Sequence, residues 1–270
     1  MANQSAEEIF PMKPLWKYLS VSETVAPPWQ QGLVQLAVEG RAFFPSPKMF
    51  NDPFDCLPHF PVPSDQDGLA AGSPLFVERM VKALTEMPAD YIRGKMAAAL
   101  NSVDPSHFRL VVIDSLRRTS ANMGVFCLSE TIDSVLMWSH YASHHAGIAL
   151  RFEMLREPRG GLMPVFKVQY ERQRPTVGLF SGDDLSDDIT AALATKAAFW
   201  EYEQEWRCFR MNEANTFVSF NPSVITGVAF GATCSEETQA EVRRLLGGRQ
   251  IDYFRATATL ETFDINLVPL

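Results

Sequence analysis

Apolar residues alternate or cluster in short runs along most of the chain, and the period of each run predicts its element. Leu15 to Leu19 (LWKYL) reads as a first strand. Gln30 to Glu39 carries helical spacing at Leu33, Leu36 and Val38, with Gly40 as its stop. A short aromatic strand is expected at Ala42 to Phe44, ended by Pro45 and Pro47. Phe50-Asn51-Asp52-Pro53-Phe54-Asp55 then reads as a polar turn held between aromatic rings.

Ser73 to Thr119 has a helical pattern. Ser73-Pro74 and Asp104-Pro105 each supply a cap residue followed by proline, a helix-start signal. Pro88 and Gly94 interrupt the run, which predicts two or three helices in an insertion at about 73–120. Strands follow at Gly124 to Leu128, Gly147 to Phe152 and Val165 to Tyr170, with Gly160-Gly161 as the turn before the third. In the middle strand Ile148, Leu150 and Phe152 alternate with Ala149 and Arg151, the pattern of a half-buried strand. Ser186 is expected to cap a helix running through Lys196 and Trp200. A strand at Ile225 to Phe230, a helix capped by Ser235 and a last strand at Ile251 to Leu260 complete the pattern. Strands separated by helices of uneven length predict an α+β fold, here a single domain over 1–270.

Composition narrows the classes. A chain of 270 residues buries about three quarters of its unfolded surface, so a core forms without staples. The net charge of −8 argues against a broad phosphate-binding face. Cys56, Cys127, Cys208 and Cys234 form no CxxC pair, which favours buried free thiols in a reducing cytoplasm. The opening MANQSAEEIF lacks an apolar signal core, and no apolar run approaches a bilayer span. A cytoplasmic protein with no membrane partner is expected.

Three polar segments are candidates for chemistry. The loop Phe50 to Asp55 is explained by turn formation alone. Met137 to Gly147 (MWSHYASHHAG) holds three of the five histidines beside Trp138 and Tyr141. On a helix Trp138, Tyr141 and His145 share a face and could grip a flat ring. His140 and His144 have HxxxH spacing without the intervening acid of a zinc helix. In Trp200 to Arg207 (WEYEQEWR), Glu203 and Glu205 would point the same way along a strand. Paired carboxylates suit a site where positive charge develops, as when a nicotinamide–ribose bond breaks to an oxocarbenium-like ribose.

Together these segments resemble a bacterial family of uncharacterised proteins marked by an opening Lys-Tyr strand (Lys17-Tyr18), an FNDPFD loop, an MWxHYAxxHxG element and a WxYExEWR element, with Val228 to Gly231 near the end. More distantly, the order of a polar first-strand residue, a central Ser or Tyr and a later Glu-x-Glu resembles the ADP-ribosyltransferase superfamily. That resemblance implies mixed or antiparallel sheets around a cleft, with NAD⁺ as substrate. Lys17 or Tyr18 would hold NAD⁺, with Lys17 near its phosphates. Ser129 would take the central position, with nicotinamide over Tyr141 or Trp138. Glu205 would be the catalytic acid and Glu203 the acid steering the acceptor. His145 would bond a ribose hydroxyl or a phosphate.

The acceptor would be a protein, a nucleic acid or water. The setting implied is a toxin, effector or antiphage factor, with a cognate antitoxin or defence-system partner. Two other readings compete. One is a nuclease or phosphodiesterase whose metal is gathered by Asp52, Asp55, His140, His145 and Glu205; the other is a non-catalytic nucleotide-binding module.

Overall fold

The computed structural model describes residues 13–21, 29–83, 87–153, 165–180 and 185–270. The strands in chain order are β1 (Leu15–Leu19), β2 (Arg41–Phe44), β3 (Gly124–Ser129), β4 (Ile148–Phe152), β5 (Phe166–Lys167) and β6 (Gln169–Glu171). They continue as β7 (Thr195–Ala197), β8 (Glu205–Arg210), β9 (Thr216–Ser219), β10 (Ile225–Phe230), β11 (Asp252–Ala258) and β12 (Ile265–Pro269). The α-helices are α1 (Trp29–Leu33), α2 (Gln66–Ala83), α3 (Ala89–Ser102), α4 (Pro105–Ala121), α5 (Val135–Tyr141), α6 (Leu185–Leu193) and α7 (Glu236–Leu245). This is a mixed α+β fold. None of the described helices is long and apolar enough to cross a membrane.

The chain divides into two compact units. The described part of the first comprises 47–122 and 169–198; the second holds 13–46, 123–168 and 199–270 as far as they are described. The expected helical insertion falls in the first unit.

The second unit is built on an eight-stranded sheet ordered β12-β11-β10-β4-β1-β3-β8-β5. Neighbours run antiparallel except β10 and β11, which are parallel and bracket α7 in sequence. Alternation along each strand sends residues to opposite faces. Leu15, Phe126, Leu150, Phe152 and Val228 pack on one face with Leu33 and Leu36 of the segment from α1 and Val242 of α7. Trp16, Tyr18 and Trp138 pack on the other, above the small side chains Ala149, Ala229 and Ala256. The alternating β4 pattern predicts a half-buried strand, yet β4 is buried on both faces, Arg151 alone remaining partly exposed. Ala149 is the reason: a small residue leaves room for an aromatic layer that the alternation does not announce.

The first unit gathers α2, α3, α4 and α6 with the parallel pair β6–β7. Phe76 stacks on Phe180 with ring centroids 5.0 Å apart, over a core that includes Val77, Leu100 and Val112. Asp104 caps α4, its carboxylate accepting from the His107 amide at 2.9 Å. The Ser73-Pro74 signal misled. Helix α2 begins at Gln66, with Asp65 accepting from the Gly68 amide, so Pro74 lies inside it. Proline leaves the carbonyl four residues earlier without its usual donor. Here the Ser73 hydroxyl donates to the Ala70 carbonyl at 3.0 Å instead.

Other boundaries also shift. Helix α6 starts at Leu185 and stops at Leu193, so it neither begins after Ser186 nor reaches Lys196, which lies on β7. The expected strand Val165 to Tyr170 divides at Val168: β5 pairs with β8, whereas β6 pairs with β7. The Gly160-Gly161 turn and the side chain of Ser186 lie outside the described residues.

Leu150 is fully buried at the centre of the main sheet. Leu150→Ala is expected to lower stability by about 2–5 kcal/mol, read from urea unfolding followed by circular dichroism.

Candidate active site

The polar residues of the second unit converge where β8 leaves its turn. Ala198–Glu203 forms a short 3-10 helix, Gln204 takes a left-handed conformation (φ 44°), and β8 begins at Glu205. The turn is tied down locally. The Glu130 amide donates to the Gln204 carbonyl at 2.9 Å, and the Ser129 hydroxyl donates to the Glu203 carbonyl at 2.6 Å. Glu203 and Glu205 therefore do not alternate along one strand as expected. The Gln204 turn lies between them and gives each its own surroundings.

Glu205 and Arg207 sit two apart on β8 and share a face. The Arg207 Nε donates to Glu205 Oε1 at 2.8 Å and its second terminal nitrogen to Oε2 at 2.9 Å. The guanidinium is wholly buried and the carboxylate nearly so. Register places Cys127 opposite Arg207 and Ser129 opposite Glu205 on β3. Burial, and after it the Glu205 carboxylate, pushes the Cys127 thiol well above its ordinary value. The sequence signal for this pair was available: opposite charges at alternate strand positions in Glu205-Trp206-Arg207.

Glu203 is buried and accepts from the Tyr141 hydroxyl at 2.6 Å. Tyr141 ends α5 and is half-buried. Beside it the His140 ring lies 6.2 Å from the Tyr141 ring and 5.9 Å from the Tyr202 ring, and its Nδ1 shares a hydrogen bond of 3.0 Å with the Tyr202 hydroxyl. Trp200 continues the row at 5.9 Å from Tyr202, and Phe199, 71% exposed, at 5.8 Å from Trp200. The result is an aromatic ledge with a carboxylate bonded to one of its members. Tyr202 and Phe199 were not singled out from sequence, although their spacing among Trp200 and Glu203 was visible.

The remaining expected residues take other roles. Trp138 is wholly buried, packs edge-on to Tyr18 with centroids 5.1 Å apart, and donates from Nε1 to the Ile132 carbonyl at 2.7 Å. It has no face open to a nicotinamide ring. Tyr18 is buried too, its hydroxyl donating to the Thr131 carbonyl at 3.0 Å, and burial raises its phenol further than the nearby Asp133 does. Ser129 is buried within the turn it braces. Lys17 lies on the opposite sheet face from Tyr18 and Glu205, with Nζ donating to the Cys127 carbonyl at 2.9 Å and lying 4.7 Å from the Phe126 ring centre. The structure thus joins Tyr141 with Glu203, and leaves Lys17 apart from both.

His145 does not extend the helix face. Helix α5 ends at Tyr141, and Ser143, His144 and His145 all have positive φ (46°, 51° and 70°). Three consecutive left-handed residues are costly without glycine. Surrounding bonds fix them: the His145 amide donates to the Trp138 carbonyl at 3.1 Å, and the Thr233 amide donates to the His145 carbonyl at 3.1 Å. A Cβ at Gly231 would collide with that same carbonyl, so glycine is required there. Burial, then the neighbouring His144, lowers the pKa of the His145 imidazole.

Of the metal-centred set, Asp52 and Asp55 belong to the first unit and His140, His145 and Glu205 to the second. Among the described residues, no group of three or more His, Cys, Asp or Glu could hold a metal ion. All four cysteines are free thiols.

An α+β unit carrying an aromatic ledge backed by a buried carboxylate is the class that fold and site define. A family model described as "Protein of unknown function (DUF2971)" matches residues 137–208, the span that carries most of α5, the ledge, Glu203 and the Glu205–Arg207 pair. No curated protein and no solved structure matches the chain.

Two outcomes follow from this geometry. Arg207→Met removes the bidentate partner of a buried carboxylate and is expected to cost about 3–5 kcal/mol; the double variant with Glu205→Leu should unfold at a urea concentration closer to wild type than to the single variant. For His145 the folded chain resists protonation that the unfolded chain accepts near pH 6.5. The unfolded state then binds more protons, so stability falls as pH drops through 6.5 towards the lower folded value. The decline in urea midpoint between about pH 7 and pH 5.5 should be smaller in His145→Gln.

Proposed function

We propose that the second unit cleaves the nicotinamide–ribose bond of NAD⁺, as an ADP-ribosyltransferase or NAD⁺ glycohydrolase, with Tyr141 and Glu203 as its working pair. The observation that carries the reading is the 2.6 Å bond from the hydroxyl of the half-buried Tyr141 to the buried Glu203 carboxylate, at the end of an aromatic ledge. The ledge offers ring faces and edges to a base or to nicotinamide. Tyr141 contacts the ribose, and Glu203 acts through it as a positioning residue while its charge favours the cationic sugar in a poorly hydrated setting.

In the step itself the ribose C1′–N bond breaks and its electron pair leaves with neutral nicotinamide. An acceptor hydroxyl, amine or water then bonds to C1′ and gives up its proton to solvent. Glu205, expected from the resemblance to be the catalytic acid, is engaged by Arg207, so the reading transfers the acidic role to Glu203. The ADP-ribosyltransferase likeness, the macromolecular acceptor and a toxin, effector or antiphage setting with a cognate antitoxin or defence partner belong to this proposal.

A non-catalytic nucleotide-binding module is the second reading, favoured by the same neutralised Glu205–Arg207 pair. Incubation of wild type, Tyr141→Phe and Glu203→Gln with labelled NAD⁺ and a cell lysate separates them. The enzyme reading predicts nicotinamide release that falls about 10²–10³-fold in Glu203→Gln through kcat with KM little changed, at an unchanged melting temperature. Binding of NAD⁺ without nicotinamide release under any condition favours the module; neither binding nor release ends both readings.

A further inference from the structure

The first unit contains a recess of about 340 Å³ that neither the fold nor the proposed reaction uses. Its lining combines the loop Phe50 to Asp55 with Arg117 and Ser120 of α4. The volume lies at the small end of the range for small-molecule sites.

Asp52 is the informative residue. One carboxylate oxygen is explained by the loop: Oδ1 accepts from the Phe54 amide at 2.8 Å, and the Asp52 carbonyl accepts from the Asp55 amide at 3.2 Å. Such a turn needs one side-chain oxygen only. Oδ2 is buried and has no hydrogen-bond partner among the described residues, in a side chain whose residue is 4% exposed. A buried, unpaired carboxylate oxygen is costly. Two polar neighbours in the lining, Asp55 and Ser120, are engaged within the unit. Asp55 faces the Lys196 ammonium at 3.5 Å, both buried, and the Ser120 hydroxyl donates to the Cys56 carbonyl at 2.7 Å.

The rim has the opposite sign. Arg117 and Lys48 are exposed and belong to the same lining. Phe50 and Leu57 add apolar side chains to the lining. We infer that this recess binds a small zwitterion, an α-amino acid or an aminoalkyl phosphate, with its ammonium on Asp52 Oδ2 and its anionic end on Arg117. An ammonium satisfies the stranded oxygen and neutralises its charge at once, which a neutral hydroxyl does not. The guanidinium suits a carboxylate or a phosphate equally. A diamine would place a second cation against Arg117, and a simple carboxylic acid would place a second anion near Asp52.

Ligand-observed saturation-transfer NMR on the full chain tests this. The probes are the twenty standard amino acids and O-phosphoethanolamine, with n-butylamine, putrescine and acetate as controls. At least one zwitterion should receive saturation from wild type, with affinity weakened about tenfold or more in Asp52→Asn and reduced also in Arg117→Ala. Asp52→Asn can fail to fold because its loop is tightly bonded; the exposed Arg117→Ala variant then decides alone. Binding by no zwitterion, or binding unchanged in the folded variants, overturns the inference. So does butylamine binding as tightly as the zwitterions with no dependence on Arg117, which would leave Asp52 as an amine site without an anionic partner.

Discussion

The ion pair between Glu205 and Arg207 governs the second unit because it places two full charges where water cannot reach them. Each charge costs several kcal/mol to desolvate, and only near-ideal mutual geometry offsets that. The bidentate bonds of 2.8 and 2.9 Å supply it. The same requirement fixes the register of β8 against β3. A slip of one residue would turn both charges onto the apolar face that holds Trp206 and Cys208. With β8 fixed, the preceding turn is fixed as well, and Glu203 meets Tyr141 from a position the sheet dictates.

This arrangement separates two acids that stand two residues apart in sequence. Glu205 is committed to the scaffold, in a bidentate pair that already uses its charge. Glu203 bonds a side chain at the edge of an aromatic ledge. The left-handed Gln204 makes the difference, and a non-glycine residue in that conformation persists only where its neighbours hold it. The Ser129 hydroxyl and the Glu130 amide do so from β3 and the residue after it. The left-handed turn at Ser143 to His145 is held in a similar way against Thr233. Both strained segments flank the ledge in sequence, one after α5 and one before β8.

Local rules read locally were reliable. Asp104-Pro105 marked a helix start because capping depends on a few adjacent residues, and Ser235 did the same for α7. The strand periods of β1, β3 and β10 were legible because each carries a continuous apolar face. Failures arose where a distant or compensating group decides the outcome. Pro74 reads as a start until Ser73 is seen to take the freed carbonyl. Ala149 reads as the polar side of β4 until Trp138 is placed above it. Strands β9 and β12 are mostly exposed edge segments without an apolar face to announce them. Glu203 and Glu205 read as one pair because alternation assumes an unbroken strand. Tyr141 stood out in sequence beside three histidines; its hydrogen-bond partner did not, since sixty-two residues separate it from Glu203.

The central claim is that the ledge of His140, Tyr141 and Tyr202 receives NAD⁺ beside Glu203. An NMR titration of NAD⁺ into protein labelled at its aromatic side chains addresses it most directly. The account predicts saturable shifts of the His140, Tyr141 and Tyr202 ring resonances, with those of the buried Trp138 unmoved. Saturable shifts confined to other residues, or none at ligand concentrations well above those that saturate nucleotide enzymes, would contradict it.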